Sequence, residues 1–202
     1  MGTVRQDIEV FDPVNTNKNV YYSKIMYKNE EISLQLPKNV LTLNKDKKKA
    51  KLIIDNTTVE FIKEVSRAII EITSEKSEKF FGKEISVEDC EIIYKEALVN
   101  DTLHCFYDDD TYFYISKRDS ISVDDLPTEN EGIALLKCSA VVYTKHSFFI
   151  RWEISQFKIK KNKLQEEEVF TLEEYSIKDL PDHELPTDGD PLVKKLDEIC
   201  LF

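Results

Sequence analysis

Short apolar segments alternate with polar residues over most of the chain, and a repeat of two residues predicts β-strands. The segments Val20–Tyr27 and Ile32–Leu36 are rich in aromatic and β-branched residues and are separated by the polar residues 28–31. This pattern predicts two strands joined by a hairpin turn. Pro37 follows directly. Because proline cannot donate to a strand ladder, we expect it to end the second strand.

Two segments in the middle of the chain repeat apolar residues at helical spacing instead. The first begins at Thr57-Thr58-Val59-Glu60, which has the form of a capping box, and the second opens at Ser86. Their apolar stripes are Phe61, Val65, Ile69 and Ile72 in the first, and Cys90, Ile93, Tyr94 and Ala97 in the second. Both stripes are expected to pack on a sheet. The basic segment Lys45–Lys49 before them is interpreted as a solvated loop.

The strand pattern returns after Asn100. Leu103–Tyr107 and Thr111–Ser116 flank three consecutive aspartates, which is typical of a hairpin turn. A longer hairpin is predicted from Ala134–Thr144 and Ser147–Ile159, turned at residues 145 and 146. In its second strand, alternation places Phe148, Ile150, Trp152 and Ile154 on one face and Phe149, Arg151 and Glu153 on the other. We therefore expect Trp152 in the core and Phe149 with Arg151 on the opposite face.

The net charge of −11 is unevenly distributed along the chain. Residues 164–202 contain twelve acidic and three basic residues, a net of −9, whereas residues 1–163 contain 27 and 25. This asymmetry predicts a domain over residues 1–163, with a helical insertion at about 57–99, and an acidic tail over residues 164–202. The tail keeps apolar clusters at 169–170 and 192–196, so part of it can form a helix on the domain.

Targeting signals are absent from the sequence. It contains no apolar run of the ~20 residues that span a bilayer, and its first residues lack a signal-peptide pattern. We therefore expect an intracellular protein that is not secreted and not in a membrane, with its cysteines reduced.

The residues that usually carry catalysis or metal binding do not form a convincing set. The four cysteines and three histidines lack zinc-ligand spacing. The run Asp108-Asp109-Asp110 is interpreted as a turn rather than a magnesium site, because consecutive residues cannot all point at one ion. His104 and Cys105 should point to opposite faces of a strand. The prediction is therefore a binding protein without catalytic residues, cofactor or metal.

Aromatic and basic residues are interleaved in the predicted strands, a composition that suits single-stranded nucleic acid. Bases stack on aromatic rings while lysine and arginine contact phosphates. For any one of these aromatic residues, a role in packing is an equally good interpretation. The candidate nucleic-acid-binding residues are Lys24, Tyr27, Lys28, Tyr112, Tyr114, Lys117, Arg118, Lys145, Phe149, Arg151, Lys158 and Lys160.

Three stretches together resemble a known family: residues 27–37, residues 80–86 and the long predicted hairpin from Ala134 to Ile159. In their order the chain is similar to the viral single-stranded DNA-binding proteins of the podophage type found in nucleocytoplasmic large DNA viruses. The resemblance implies a mainly β (α+β) fold, namely an OB-like β-barrel with an inserted two-helix segment and an acidic C-terminal tail. It also implies single-stranded DNA binding in viral replication, recombination or repair, in the host cytoplasm or a viral factory.

In that family the acidic tail contacts replication proteins and competes with DNA for the basic groove. The resemblance therefore implies partner-binding roles for Asp188, Asp190, Asp197, Glu198 and Phe202. The resemblance is also compatible with a homodimer. The alternative hypothesis is a structural or adaptor protein, a component of a virion or a replication complex, that uses the same barrel for protein contacts. Basic residues clustered on one face would favour DNA, and an exposed apolar patch would favour the alternative.

Overall fold

The computed structural model describes residues 4–17, 20–116 and 119–160. These residues form twelve strands and four α-helices. The strands are β1 (Ile8–Val10), β2 (Val14–Asn17), β3 (Val20–Ser23), β4 (Ile25–Tyr27), β5 (Ser33–Asn44), β6 (Lys49–Ile53), β7 (Leu98–Val99), β8 (Thr102–Phe106), β9 (Tyr112–Ser116), β10 (Asp119–Ser120), β11 (Glu129–Tyr143) and β12 (Phe148–Ile159). The helices are α1 (Val4–Asp7), α2 (Asn56–Glu75), α3 (Ser77–Phe81) and α4 (Val87–Ile93).

Five of the strands close into a ring. β5 pairs with β6, β6 with β8, β8 with β12, β12 with β11, and β11 again with β5. All of these pairs are antiparallel except β8 with β12. Alternate residues of each strand face the centre of the ring, where they form one apolar core. The prediction of a mainly β fold with a helical segment is confirmed at this level.

The remaining strands extend the ring or stand beside it. β3 and β2 continue the sheet beyond β11, and β10 pairs with β9 at the other end. β7 pairs with β8. β1 and β4 form a separate two-stranded sheet.

The first ring strand, β5, does not end at Pro37 as the sequence predicts. It continues to Asn44, because Pro37 and Lys38 lie in a bulge where they oppose the single residue Ile133 of β11. Lys38 takes a left-handed backbone conformation there, and a bulge is a position where the missing proline N–H breaks no ladder bond. Next to it, Gly132 is needed for close packing, because a Cβ atom would lie 2.2 Å from the carbonyl oxygen of Lys158.

The predicted hairpin across residues 28–31 is only half correct. The turn is real: Lys28 and Asn29 both have positive φ, and the backbone of Tyr27 exchanges hydrogen bonds with Glu30 at 2.8 and 2.9 Å. The flanking strands separate immediately afterwards, since β4 pairs with β1 and β5 with β11. The presence of a turn was readable from local sequence, whereas the strand pairing depended on distant segments.

The predicted hairpin across Asp108–Asp110 is wrong as a hairpin. β8 and β9 pair one after the other with the same edge of β12, both parallel to it, so the chain steps forward along that edge and does not reverse direction. Thr111 fixes the step by donating its hydroxyl to the carbonyl of Ile154 at 2.8 Å. Asp108 accepts the backbone N–H of Asp110, so the aspartates do serve as turn residues.

Both predicted helices are present, and they lie between β6 and β8 as an insertion. The cap of α2 is Asp55, two residues before the first residue of the predicted capping box, and it accepts the Thr58 N–H at 2.9 Å. Its stripe of Phe61, Val65, Ile69 and Ile72 is buried as predicted. Ser86 caps α4 as predicted, although α4 ends at Ile93, before the last two residues of its predicted stripe. Helix α3 was not predicted.

The long hairpin of β11 and β12 is confirmed, including the direction of its side chains. Phe148, Ile150, Trp152 and Ile154 are buried, whereas Phe149, Arg151 and Glu153 are half-buried on the other face.

His104 is exposed and Cys105 is buried, also as predicted. Cys90, Cys105 and Cys138 are buried free thiols.

Several predictions concern residues outside the described part of the chain. These are Lys117, Arg118 and the acidic tail with Asp188, Asp190, Asp197, Glu198 and Phe202. Within the described part, none of the helices combines the length and apolar character needed to span a membrane.

Candidate functional site

The outward-facing side of three neighbouring ring strands brings together several of the chemically distinctive exposed side chains. Strands β6 and β8 pair so that Lys49 lies opposite Phe106, Lys51 opposite His104 and Ile53 opposite Thr102. On the other side of β8, Phe106 lies opposite Glu153 of β12. We call this surface the outer face. Its residues are Lys49, Lys51, Ile53, Thr102, His104, Phe106, Phe149, Arg151 and Glu153.

Two phenylalanines and two cations form the centre of the outer face. The rings of Phe106 and Phe149 are stacked, with centroids 6.5 Å apart and an interplanar angle of 28°. The Arg151 guanidinium carbon lies 4.6 Å from the Phe106 ring centroid, and the Lys49 Nζ lies 5.4 Å from it. Cations at these distances are attracted to the ring faces. The result is an aromatic platform with positive charge on two sides.

The lysines of the outer face are available for a ligand. Within the described residues, Lys49 and Lys51 form no ion pair with an acidic side chain. Both lie on β6, where alternation turns them outward and turns Ala50 and Leu52 into the core. Unpaired ammonium groups on a rigid strand are suited to contacting phosphates.

His104 lies between these cations and responds to them. Partial burial lowers its pKa below 6.5, and the charges of Lys51 and Lys49 lower the pKa further. These effects favour the neutral form of the imidazole in the free protein.

Arg151 connects the outer face to a neighbouring groove. Its guanidinium Nε donates to the Glu153 carboxylate. Beyond this pair lies a groove of about 650 Å³. Its lining includes Arg151, Glu153, Phe11, Tyr22 and the predicted residue Lys24. The exposed side chains of Phe11 and Val14 continue the apolar surface along the N-terminal segment.

The loop between β5 and β6 carries further basic residues, but two of them have structural partners. Lys45 donates to the carbonyls of Asp124 and Leu126 at 2.8 and 2.7 Å. Lys48 contacts both carboxylate oxygens of Asp109 at 2.7 Å. Lys47 is exposed. The predicted solvated loop is therefore a short 3₁₀ turn that is tied to the rest of the domain, followed directly by β6.

Two of the predicted binding residues are in the wrong place for stacking. Tyr27 is 5% exposed and packs edge-on against Phe61 of α2, with centroids 6.1 Å apart. Tyr114 is 2% exposed and belongs to a small cluster with Leu135. Their ring faces are covered, because the packing partners come from other elements that the strand pattern does not reveal.

The other predicted residues are dispersed. Phe149 and Arg151 lie on the outer face, and Lys24 lines the adjacent groove. Tyr112 is exposed at the far end of β12, where it lies opposite Gln156, and Lys160 contacts Glu131 at 3.3 Å. Three predicted residues remain: half-buried Lys158, exposed Lys28 close to the Tyr27 ring, and exposed Lys145 on a separate cavity.

Four residues of the outer face were missed by sequence reasoning: Lys49, Lys51, His104 and Phe106. A signal for the two lysines was present, because Lys49–Ile53 alternates charged and apolar residues before its last position. It was hidden because the segment begins inside a basic run. No local signal pairs Phe106 with Phe149, since parallel pairing of β8 and β12 brings them together.

Comparison with known proteins gives a family but no function. The chain belongs to a family of unknown function (DUF5871), whose model matches residues 39–179. No curated protein and no solved structure matches the chain. The matched segment includes every residue of the outer face, whereas Lys24 and Phe11 of the groove precede it.

Proposed function

We propose that this protein binds single-stranded DNA on the outer face of β6, β8 and β12. The observation that carries the proposal is the stacked pair Phe106 and Phe149, flanked by Lys49, Lys51 and Arg151. Nonspecific single-strand binding needs this combination of an aromatic platform for bases and cations for the backbone. A base is worth about 1–3 kcal/mol when it stacks on such a ring.

The position of the outer face within the ring supports the same proposal. In OB-folds, which are five-stranded barrels, the second and third strands and two adjoining loops contact oligonucleotides. In chain order the second and third ring strands are β6 and β8, and these two strands supply Lys49, Lys51, His104 and Phe106. We interpret the ring as OB-like, in agreement with the resemblance of the sequence to viral single-stranded DNA-binding proteins.

Local charge removes the objection that the chain is acidic overall. The tail accounts for −9 of the net −11. On the outer face, three basic residues stand against the single carboxylate of Glu153, which is already paired with Arg151. Phosphate contacts depend on the local potential within about 8–10 Å at physiological salt, so the net charge of the whole chain does not by itself decide whether the outer face binds them.

A charge-reversal experiment tests the proposal. Binding of labelled oligo-dT of about 16 nucleotides, the upper end of the OB-fold site size, is measured by fluorescence anisotropy at two salt concentrations. K49E/K51E is expected to abolish or strongly weaken binding. The matched control is K63E/R67E, the same charge change on the exposed side of α2, which should bind like the wild type. Equal binding by all three proteins would overturn the proposal, as would tighter binding to duplex than to single strands.

A second candidate function is protein binding by the same face, as a structural or adaptor component. The exposed side chains of Phe11 and Val14 beside the groove favour it, because a patch of exposed apolar residues commonly marks a protein contact. The same oligo-dT titration distinguishes the two functions. A protein-contact role predicts no oligo-dT affinity at low salt and concentration-dependent association that F11S/V14S reduces.

A further inference from the structure

A second cavity, beside the β11–β12 turn, shares no lining residue with the outer face and has a different composition. Its volume is about 440 Å³, within the range of ligand pockets. Its residues come from the N-terminal segment, from the helical insertion and from the turn. They are Pro13, Tyr21, Phe80, Phe81, Lys83, Ile85, Ile93, Tyr143, Thr144, Lys145, His146 and Ser147.

The wall of this cavity is aromatic and aliphatic. The ring centroids of Phe80 and Phe81 lie 5.4 and 5.7 Å from that of Tyr143. Ile85 and Ile93 add to the apolar lining. These two isoleucines and the two phenylalanines are half-buried. A large apolar side chain entering the cavity would therefore replace water against apolar surface on several sides, which is the geometry of an interface anchor.

The rim of the cavity is basic. Lys83, Lys145 and His146 are exposed, and none of the described residues that line the cavity is acidic. Within the described part of the chain, Lys83 and Lys145 form no ion pair. In a protein of net charge −11, a cavity with this rim is complementary to negative charge placed beside an apolar anchor.

Both sides of the cavity are already rigid. In the turn, the Thr144 N–H donates to the Ser147 carbonyl at 2.8 Å, and the two hydroxyls lie 3.1 Å apart. On the helical side, the Ser77 hydroxyl accepts the Ile85 N–H at 2.9 Å. The rings of Phe80, Phe81 and Tyr143 pack against one another at interplanar angles of 80°, 59° and 73°, so they do not form a flat platform on which a base could stack. This geometry favours a peptide side chain over a base.

We propose that this cavity is a docking site for an acidic segment of a partner protein, in which carboxylates flank one large aromatic or aliphatic side chain. The side chain packs against the half-buried rings of Phe80 and Phe81 where they line the cavity, and the carboxylates contact Lys83 and Lys145. The site is independent of the outer face, so DNA and the partner segment can be bound at the same time. The proposal stands whether or not the outer face binds DNA.

Titration of the full-length protein with a labelled peptide tests this site. The probe is a short peptide with one tryptophan between aspartates; its comparison peptides carry alanine for the tryptophan or lysines for the aspartates. The wild type should bind the first peptide and neither comparison peptide. K83E/K145E should weaken binding about tenfold or more, which corresponds to at least about 1.4 kcal/mol. K63E/R67E should have no effect, and equal melting temperatures would show that the variants are folded.

Four outcomes would overturn the assignment. Equal binding of the alanine peptide would show that the cavity supplies no anchor, and equal binding by K83E/K145E would place the peptide elsewhere. Displacement of the peptide by oligo-dT from K49E/K51E, whose outer face is altered, would make the cavity a nucleic-acid subsite. Binding that emerges only after the acidic residues of 164–202 are changed to their amides would assign the cavity to the chain's own tail. Failure of the DNA proposal is read separately, from K49E/K51E and oligo-dT.

Discussion

The two faces of β12 have the same backbone and opposite physical roles. On the inner face Phe148, Ile150, Trp152 and Ile154 are at most 1% exposed and fill the ring. On the outer face Phe149 and Arg151 are half-buried, and each of them contacts Phe106 of β8. A shift of one residue in strand register would exchange the two faces. Register therefore decides whether an aromatic side chain of β12 fills the core or lies on the accessible surface.

A second comparison sharpens this lesson. Tyr114 and Phe149 are both aromatic residues that point away from the centre of the ring, and both were predicted to stack on bases. Leu135 covers Tyr114, whereas Phe149 is partnered by Phe106 and remains accessible. Facing outward from a strand therefore does not by itself make a ring accessible, because neighbouring side chains on the same face, such as Leu135 and Ile133 beside Tyr114, can cover it.

The largest expected effect is a loss of stability when a large side chain on the inner face of β12 is truncated. Trp152→Ala should lower the free energy of unfolding by about 3–5 kcal/mol, because it leaves a cavity in a close-packed core. Urea unfolding monitored by circular dichroism measures it. Arg151→Ala, the adjacent outward residue, should cost far less. Trp152→Phe is a useful control: within the described residues the indole N–H has no hydrogen-bond partner, so only packing is lost. Comparable losses for Trp152→Ala and Arg151→Ala would contradict the division between faces.

The next effect is on the aromatic platform. Phe106→Ala and Phe149→Ala should each weaken oligo-dT binding by about 1–3 kcal/mol, the range for losing one stacked base. The leucine variants at the same positions keep apolar volume and remove the ring, so they should lose affinity while retaining the melting temperature. Tyr112→Ala removes an exposed ring away from the outer face and should bind normally. A Tyr112 effect larger than that of Phe149 would move the site along β12.

A smaller effect distinguishes electrostatic from stacking contacts. Lys49→Ala or Lys51→Ala should reduce the slope of log affinity against log salt by about 0.7, the value for one phosphate contact on a single strand. Phe149→Leu should lower affinity and leave that slope unchanged. Titrations over a series of salt concentrations provide both slopes, and identical slopes for the lysine variants and the wild type would remove the phosphate role.

The smallest effect concerns pH. In the free protein, burial and the charges of Lys51 and Lys49 hold the pKa of His104 below 6.5. A bound phosphate would offset those lysines and favour the imidazolium, so binding should be accompanied by proton uptake. Affinity is then expected to rise as the pH falls through the pKa of His104 in the complex, and to level off below its pKa in the free protein. His104→Gln should flatten this profile, and an unchanged profile would separate His104 from the site.

Local sequence carried several of these conclusions. The alternation in residues 148–154 predicted both faces of β12, because the period of a strand is fixed at two. The stripe of α2, its approximate start and the cap at Ser86 were also readable. The positive φ values at Lys28 and Asn29 agree with a tight turn between polar residues. In each case the determining interactions lie within a few residues along the chain.

Long-range contacts decided what the sequence left open. The bulge opposite Ile133 carries β5 past Pro37, which local proline chemistry argued against. Parallel pairing of β8 and β9 along β12 replaced the predicted hairpin at the aspartates. The burial of Tyr27 against Phe61 joins residues 34 positions apart in sequence. None of these contacts can be recognised from the spacing of apolar residues within one segment.

By itself, the amino-acid sequence determined which residues of each strand share a face, where the main helices lie, and that the acidic charge is concentrated in residues 164–202. Only the tertiary structure decided which outward faces stay accessible and which residues meet on them. Side-chain alternation is a property of one strand, whereas the outer face requires β6, β8 and β12 to be adjacent. That adjacency results from closing the ring, which buries the apolar side of all five strands at once.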